Sequence, residues 1–170
     1  MPVPGMSPSM TTRPELEHRA AYLLAGLRVF MGLLFLVVWA LNLGKGLYGG
    51  EYLPFIRGYA QNSDIGLYRQ FLDSVVIPNA TLFRSLQFLT ESLVMGIFLI
   101  VGFLTPLSSL VAAGFTFNLL LASFGNSEWP GTYLLMLAIL AVVGIGQAGR
   151  TWGVDARLAR RNAHPRLPLY

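Results

Sequence analysis

Arg28 and Glu91 are each the only charged residue in a long apolar run, Tyr22 to Leu43 and Leu86 to Leu104. An ionisable side chain in hydrocarbon is costly unless it is paired, hydrated or put to use, which makes both of them catalytic candidates. A carboxyl such as that of Glu91 can exchange a proton or accept a hydrogen bond from a quinol. Gln87 precedes Glu91 by four residues and Arg84 by seven, so the three form one polar stripe down a helix. At 1.5 Å per residue Glu91 lies ~20 Å and Asn118 ~17 Å from the same membrane side, against ~9 Å for Arg28. Arg28 would need its long side chain, helix tilt or water to reach Glu91. Gln87, Asn118 and Arg84, with Trp39 in the first run, are the candidate quinone or substrate-binding residues. The same stripe could instead lock helices together, with Gly96, Gly102, Gly114, Gly144 and Gly146 permitting close approach.

Other chemistry finds no footing. The chain has no Cys, which removes thiolate metal sites and disulfides. His18 and His164 lie outside the apolar runs, so no metal site and no pair of axial haem ligands is expected. No HExxH, GxGxxG or P-loop pattern occurs. Any electron carrier is then a diffusible quinone or belongs to a partner.

The elements that must position these residues are membrane helices. Of 170 residues 54% are hydrophobic and 12% charged, with a net charge of +4. This is about half the charged fraction of an ordinary soluble domain, which disfavours disorder and a nucleic-acid module. Two further runs, Leu107 to Phe124 and Tyr133 to Ala148, contain no charge at all. A soluble bundle would show a charged face on each helix. The expected fold is therefore all-α, an integral membrane four-helix bundle with spans at 22–43, 86–104, 107–124 and 133–148. Thr105 and Pro106 leave room only for a tight hairpin between the second and third spans.

Orientation follows from basic flanks. Arg13, Arg19, Arg150, Arg157, Arg160, Arg161 and Arg166 share one side, while Lys45, Arg57, Arg69 and Arg84 are interleaved with acids on the other. Both termini are expected in the cytoplasm. Residues 1–21 have no signal-peptide core and read as a cytoplasmic tail, and 149–170 as a basic one. Arg150, Arg157, Arg160 and Arg161, with Trp129 and Trp152, are expected at the lipid interface. In the long outer segment, Ser63 and Asp64 offer caps to IGLYRQFLDSVV, an amphipathic helix lying on the outer surface. It either covers the bundle or rests in the headgroup layer, or it walls a quinone or substrate entrance with Tyr48, Tyr52, Phe55 and Tyr59 as companion aromatics.

The first helix reads LRVFMGLLFLVVWALNLGK and the second ESLVMGIFLIVGFLTP; later come Glu128, Trp129, Pro130 and Tyr133, then AGRTWGVDARL. From Arg28 to Leu158 this pattern resembles the DoxX-like family of four-helix membrane proteins and, within it, the DoxD-type small subunit of thiosulfate:quinone oxidoreductase. The resemblance implies a bacterial or archaeal inner-membrane protein, in some members coupled to thiosulfate oxidation and quinone reduction with a partner subunit in the membrane or at its outer face. The other function in play is a non-catalytic accessory or assembly subunit of a larger respiratory or energy-transducing complex.

Overall fold

The computed structural model describes residues 13–161, and side chains over 15–160. The outermost tails, with Arg166 and the side chains of Arg13 and Arg161, lie outside the described residues. Within them the chain is helical, joined by turns, and contains no strand.

Helix α1 runs Arg13–Gly44, a span of apolar residues with no proline beyond its first turn to interrupt it. A turn through residues 45–51 leads to α2 (Tyr52–Asn62), which the sequence reading did not separate from the outer segment. The amphipathic helix follows as α3 (Gly66–Phe71), widening into a π-helical turn at Leu72–Val76 before Pro78. Neither Ser63 nor Asp64 caps it as expected: the N-cap position is Ile65, with no side-chain cap, and Ser63 Oγ instead accepts the Ile65 N–H at 3.2 Å in the turn before the helix. The second long apolar helix is continuous over Ala80–Val101: α4 (Ala80–Leu89), a π-helical stretch (Thr90–Phe98) and α5 (Leu99–Val101). It stops at Gly102, whose φ of +67° is the left-handed conformation that ends many helices. Helices α6 (Thr105–Ser123) and α7 (Pro130–Ile145) both carry proline in the first turn, where its missing N–H costs nothing. A 3₁₀ turn at Ala148–Arg150 and α8 (Val154–Arg161) complete the order.

Glu15–Gly44, Ala80–Val101 and Thr105–Ser123 are each long and apolar enough to cross a membrane, and Pro130–Ile145 is a shorter apolar helix of 16 residues. Large apolar side chains stand exposed along these helices, among them Leu23, Phe30, Val37, Leu110, Leu135 and Ile145. Such a belt belongs against lipid, so this is a multi-pass membrane protein. Helices α6 and α7 pack along their length as neighbours, and α1 lies against the π-helical stretch, α5 and α7. Met31, Phe35, Met95, Leu99, Ala112 and Leu140 form the centre. There α1 crosses the second apolar helix backbone to backbone: a Cβ on Gly32 would stand 2.9 Å from the Gly96 carbonyl, and one on Gly96 2.3 Å from Leu36. A second cluster, with Tyr59, Ala60, Tyr68, Leu72, Val76 and Ala122, fastens α2 and α3 onto the end of α6.

Candidate functional site

Glu91 opens the π-helical stretch and is 1% exposed. π-Turns interrupt the regular ladder and are frequent at functional positions. Gln87, one turn earlier, donates from Nε2 to Glu91 Oε1 at 2.7 Å. Asn42, in the last turn of α1, donates from Nδ2 to Oε2 at 3.1 Å, and the Tyr48 hydroxyl donates to the same oxygen. The carboxyl is thus held by three side chains from three segments. Phe88 supports them, meeting the Tyr48 ring edge-on at 5.2 Å and the Trp39 ring at 5.6 Å. Arg84 turns away to the Gly49 carbonyl at 3.3 Å and pins the loop that carries Tyr48.

Gln87 has a second role, as part of the wall of a cavity of about 260 Å³. Tyr52, Tyr68, Thr90, Phe115 and Asn118 line it as well, so hydroxyl and amide groups converge on an otherwise apolar space. Tyr68 donates to Asn118 Oδ1 at 3.1 Å. These two residues and Phe71 also border an apolar groove of about 810 Å³ between α3 and α6, lined further by Leu67, Val75, Gly114, Phe117 and Leu121. The Tyr68–Asn118 hydrogen bond therefore stands between an apolar groove and a mainly apolar cavity with a few polar groups in its wall. Burial pushes the Tyr52 and Tyr68 phenols up to about 12 and raises those of Tyr48 and Tyr59 too. All four remain neutral donors across the physiological range.

A second carboxylate closes the same end. Glu128 accepts from Tyr59 at 2.6 Å and from the Tyr133 hydroxyl. The loop that carries it is clamped to the α2–α3 link: Asp64 N–H donates to the Phe124 carbonyl at 3.2 Å. Gly125, at φ +89°, has no room for a Cβ beside Asn62.

Arg28 stands apart from all of this. Arg28 and Asn42 are roughly 21 Å apart along α1 at 1.5 Å per residue, and Arg28 is not among the residues lining the cavity. It is fully buried in a knot of backbone at the other end of the helices. Its Nη2 donates to the Trp152 carbonyl at 3.1 Å, while Gly102 and Gly153 make room for it: a Cβ on Gly102 would fall 1.5 Å from Nη1. Asp155 completes the knot by accepting the N–H groups of Leu104 and Thr105, each at 2.8 Å, at the start of α6. Charge at a helix N-terminus is favourable, and two orphan donors are satisfied. The segment read as the start of a tail is thus folded onto the helix ends as far as α8, with Arg150 in the 3₁₀ turn and Arg157 and Arg160 exposed. Trp129 and Trp152 are both exposed, at opposite ends of α7.

Of the sequence candidates, then, Glu91, Gln87, Asn118 and Trp39 gather at one end around cavity and network, Arg84 holds the adjoining loop, and Arg28 belongs elsewhere. Sequence reading had not singled out Asn42, the one amide near the end of the first run. It also left Glu128 as a loop charge and a motif residue, because its phenol partner Tyr59 comes from a distant segment.

No curated protein and no solved structure matches the chain. A family model described as the TQO small subunit DoxD matches residues 22–166, which takes in the Glu91 network, the cavity and the Arg28 knot. By that match over most of its length, the chain belongs to the DoxD family.

Proposed function

We propose that this protein is the quinone-binding membrane subunit of a thiosulfate:quinone oxidoreductase-like complex, with a partner subunit oxidising the sulfur compound. The observation that carries the reading is the adjacency of groove and cavity, which share Tyr68, Phe71 and Asn118 as a common wall. An isoprenoid quinone is an apolar tail joined to a ring with two carbonyl acceptors. The groove suits the tail, and the cavity offers Tyr52, Thr90 and the second Nε2 hydrogen of Gln87 as donors to the ring. Reduction to quinol takes two electrons, supplied by the partner, and two protons. Glu91 reaches the chamber through Gln87 and the loop through Tyr48, and serves as the proton-exchanging group. Arg84 and Trp39 support that network, and Arg28 holds the helices together.

In the same proposal Pro130–Ile145 crosses the membrane as well, giving a four-helix bundle in the inner membrane of a bacterium or archaeon. Both termini are cytoplasmic, and the Glu91 end lies at the outer face.

Gly114 allows a test, because a side chain built there meets nothing within 4 Å and would project into the groove it lines. Gly114→Leu should fold normally yet lose the quinone that co-purifies with the wild type in mild detergent. Gly26→Leu, equally open but away from the groove, should retain it. Equal quinone content in all three proteins would reject the site and favour the accessory-subunit reading.

A further inference from the structure

The Arg28 end of the molecule carries a groove of about 430 Å³ lined by Val101, Trp152, Gly153, Val154, Arg157 and Arg160, with no carboxylate in its lining. We infer that this groove binds the phosphate of an anionic phospholipid: Arg157 and Arg160 pair with the phosphate oxygens, and Val101 and Val154 meet the glycerol and first acyl carbons.

Position is the first argument. Val101 is the last residue of the second long apolar helix, and Trp152 beside it is 75% exposed. Apolar wall below and two arginines above match the boundary between hydrocarbon and headgroups, where tryptophan also concentrates.

The construction of the wall is the second. Trp152 adopts φ +54°, a left-handed conformation that is strained for a bulky residue. That inversion turns its carbonyl inward to Arg28 and leaves its indole outside, 4.8 Å from the Tyr22 ring. The next residue can only be glycine in this packing, since a Cβ on Gly153 would stand 2.2 Å from the Gly149 carbonyl and 2.7 Å from Arg28 Nη1. Bare backbone therefore separates the groove from a buried guanidinium.

The third is charge. Nε and Nη1 of Arg28 are buried without a hydrogen-bond partner. Asp155 lies within electrostatic reach, but both its oxygens are engaged by backbone N–H groups. Hydrogen bonding leaves the Asp155 charge in place, so it offsets part of the Arg28 charge, and the positive field in the groove comes chiefly from Arg157 and Arg160. Two guanidiniums with no carboxylate in the lining, beside an apolar strip, select an anion that is attached to hydrocarbon. A soluble phosphate would leave the apolar half unused.

The inference does not depend on the quinone reading, and its test needs no partner subunit. The full chain in detergent is given phosphatidylglycerol or phosphatidylcholine, and retained lipid is read by native mass spectrometry. Phosphatidylglycerol should be retained preferentially. Arg157→Gln with Arg160→Gln, both exposed and harmless to folding, should lower its affinity roughly tenfold. Lys45→Gln with Arg57→Gln, which makes the same change in net charge at the opposite end, should not. Equal retention of the two lipids, or equal loss in the two double variants, would overturn the site. Displacement of the lipid by inorganic phosphate at comparable concentration would overturn the lipid assignment and give the groove to a soluble anion.

Discussion

Glu91 and Arg28 are both buried ionisable residues on apolar helices, yet their surroundings share almost nothing. Glu91 is reached by side chains, Asn42, Tyr48 and Gln87, each free to rotate or to exchange a hydrogen bond, and one of them borders a cavity. Arg28 is enclosed by backbone, between glycines that tolerate no Cβ and under a carbonyl supplied by a strained tryptophan. A group that must change protonation needs partners able to follow it and a route to substrate. A group that only joins segments needs neither, and rigid backbone suits it better. The contrast separates the proposed site of chemistry from a structural joint, although the two residues look equivalent in the sequence.

The largest effect should come from crowding the joint. Gly102→Ala places a Cβ 1.5 Å from Arg28 Nη1 and 2.9 Å from the Gly153 backbone, at a φ of +67°. Backbone strain and overpacking together should cost about 3 kcal/mol or more. Thermal unfolding in detergent should show a variant that barely assembles. Wild-type stability would mean that Arg28 yields easily and would erase the contrast.

Next comes the carboxyl. Glu91→Ala leaves three donors without an acceptor and should cost about 2 kcal/mol. Glu91→Gln keeps an acceptor for one amide, and the Tyr48 hydroxyl can rotate to accept from the other half, so the loss should be about 1 kcal/mol or less. Quinone reduction with the native partner should nevertheless vanish in the Gln variant. If that variant stays assembled with full activity, Glu91 is a joint as well.

The smallest effect is one of pH. Burial, helped for Tyr52 by the nearby Glu91, holds the Tyr52 and Tyr68 phenols at about 12 against an ordinary 10.0. The folded state therefore favours their neutral forms, and that contribution is complete below pH 10 and is lost as the pH rises toward 12. Alkaline unfolding curves of Tyr52→Phe and Tyr68→Phe should be flatter in this window. An unchanged slope would show that the phenols are hydrated, and the cavity more open than its lining suggests.

Sequence alone determined three helices long and apolar enough to cross a membrane and the shorter apolar Pro130–Ile145, because hydrophobicity over twenty residues is a local property that needs no tertiary contact to express itself. It also exposed Arg28 and Glu91 as exceptions, since a charge in such a run stands out whatever surrounds it. Helix ends were less legible: the runs read as starting at Leu107 and Tyr133 begin as helices at Thr105 and Pro130, and the expected caps Ser63 and Asp64 give way to Ile65. The π-helical register at Glu91 was not legible, because no side chain in TESLVMGIF announces it. Only the tertiary structure decided what the two charges do. The depth estimate left Arg28 a reach toward Glu91, but whether a long side chain bends along the helix or into a neighbouring turn depends on where glycines of other segments come to rest. Gly102 and Gly153 lie far from Arg28 in sequence, as Tyr48 and Asn42 do from Glu91. Partners brought together by packing carry no spacing rule, so the difference between a carboxyl held by side chains beside a cavity and a guanidinium enclosed by backbone appears only once the chain is folded.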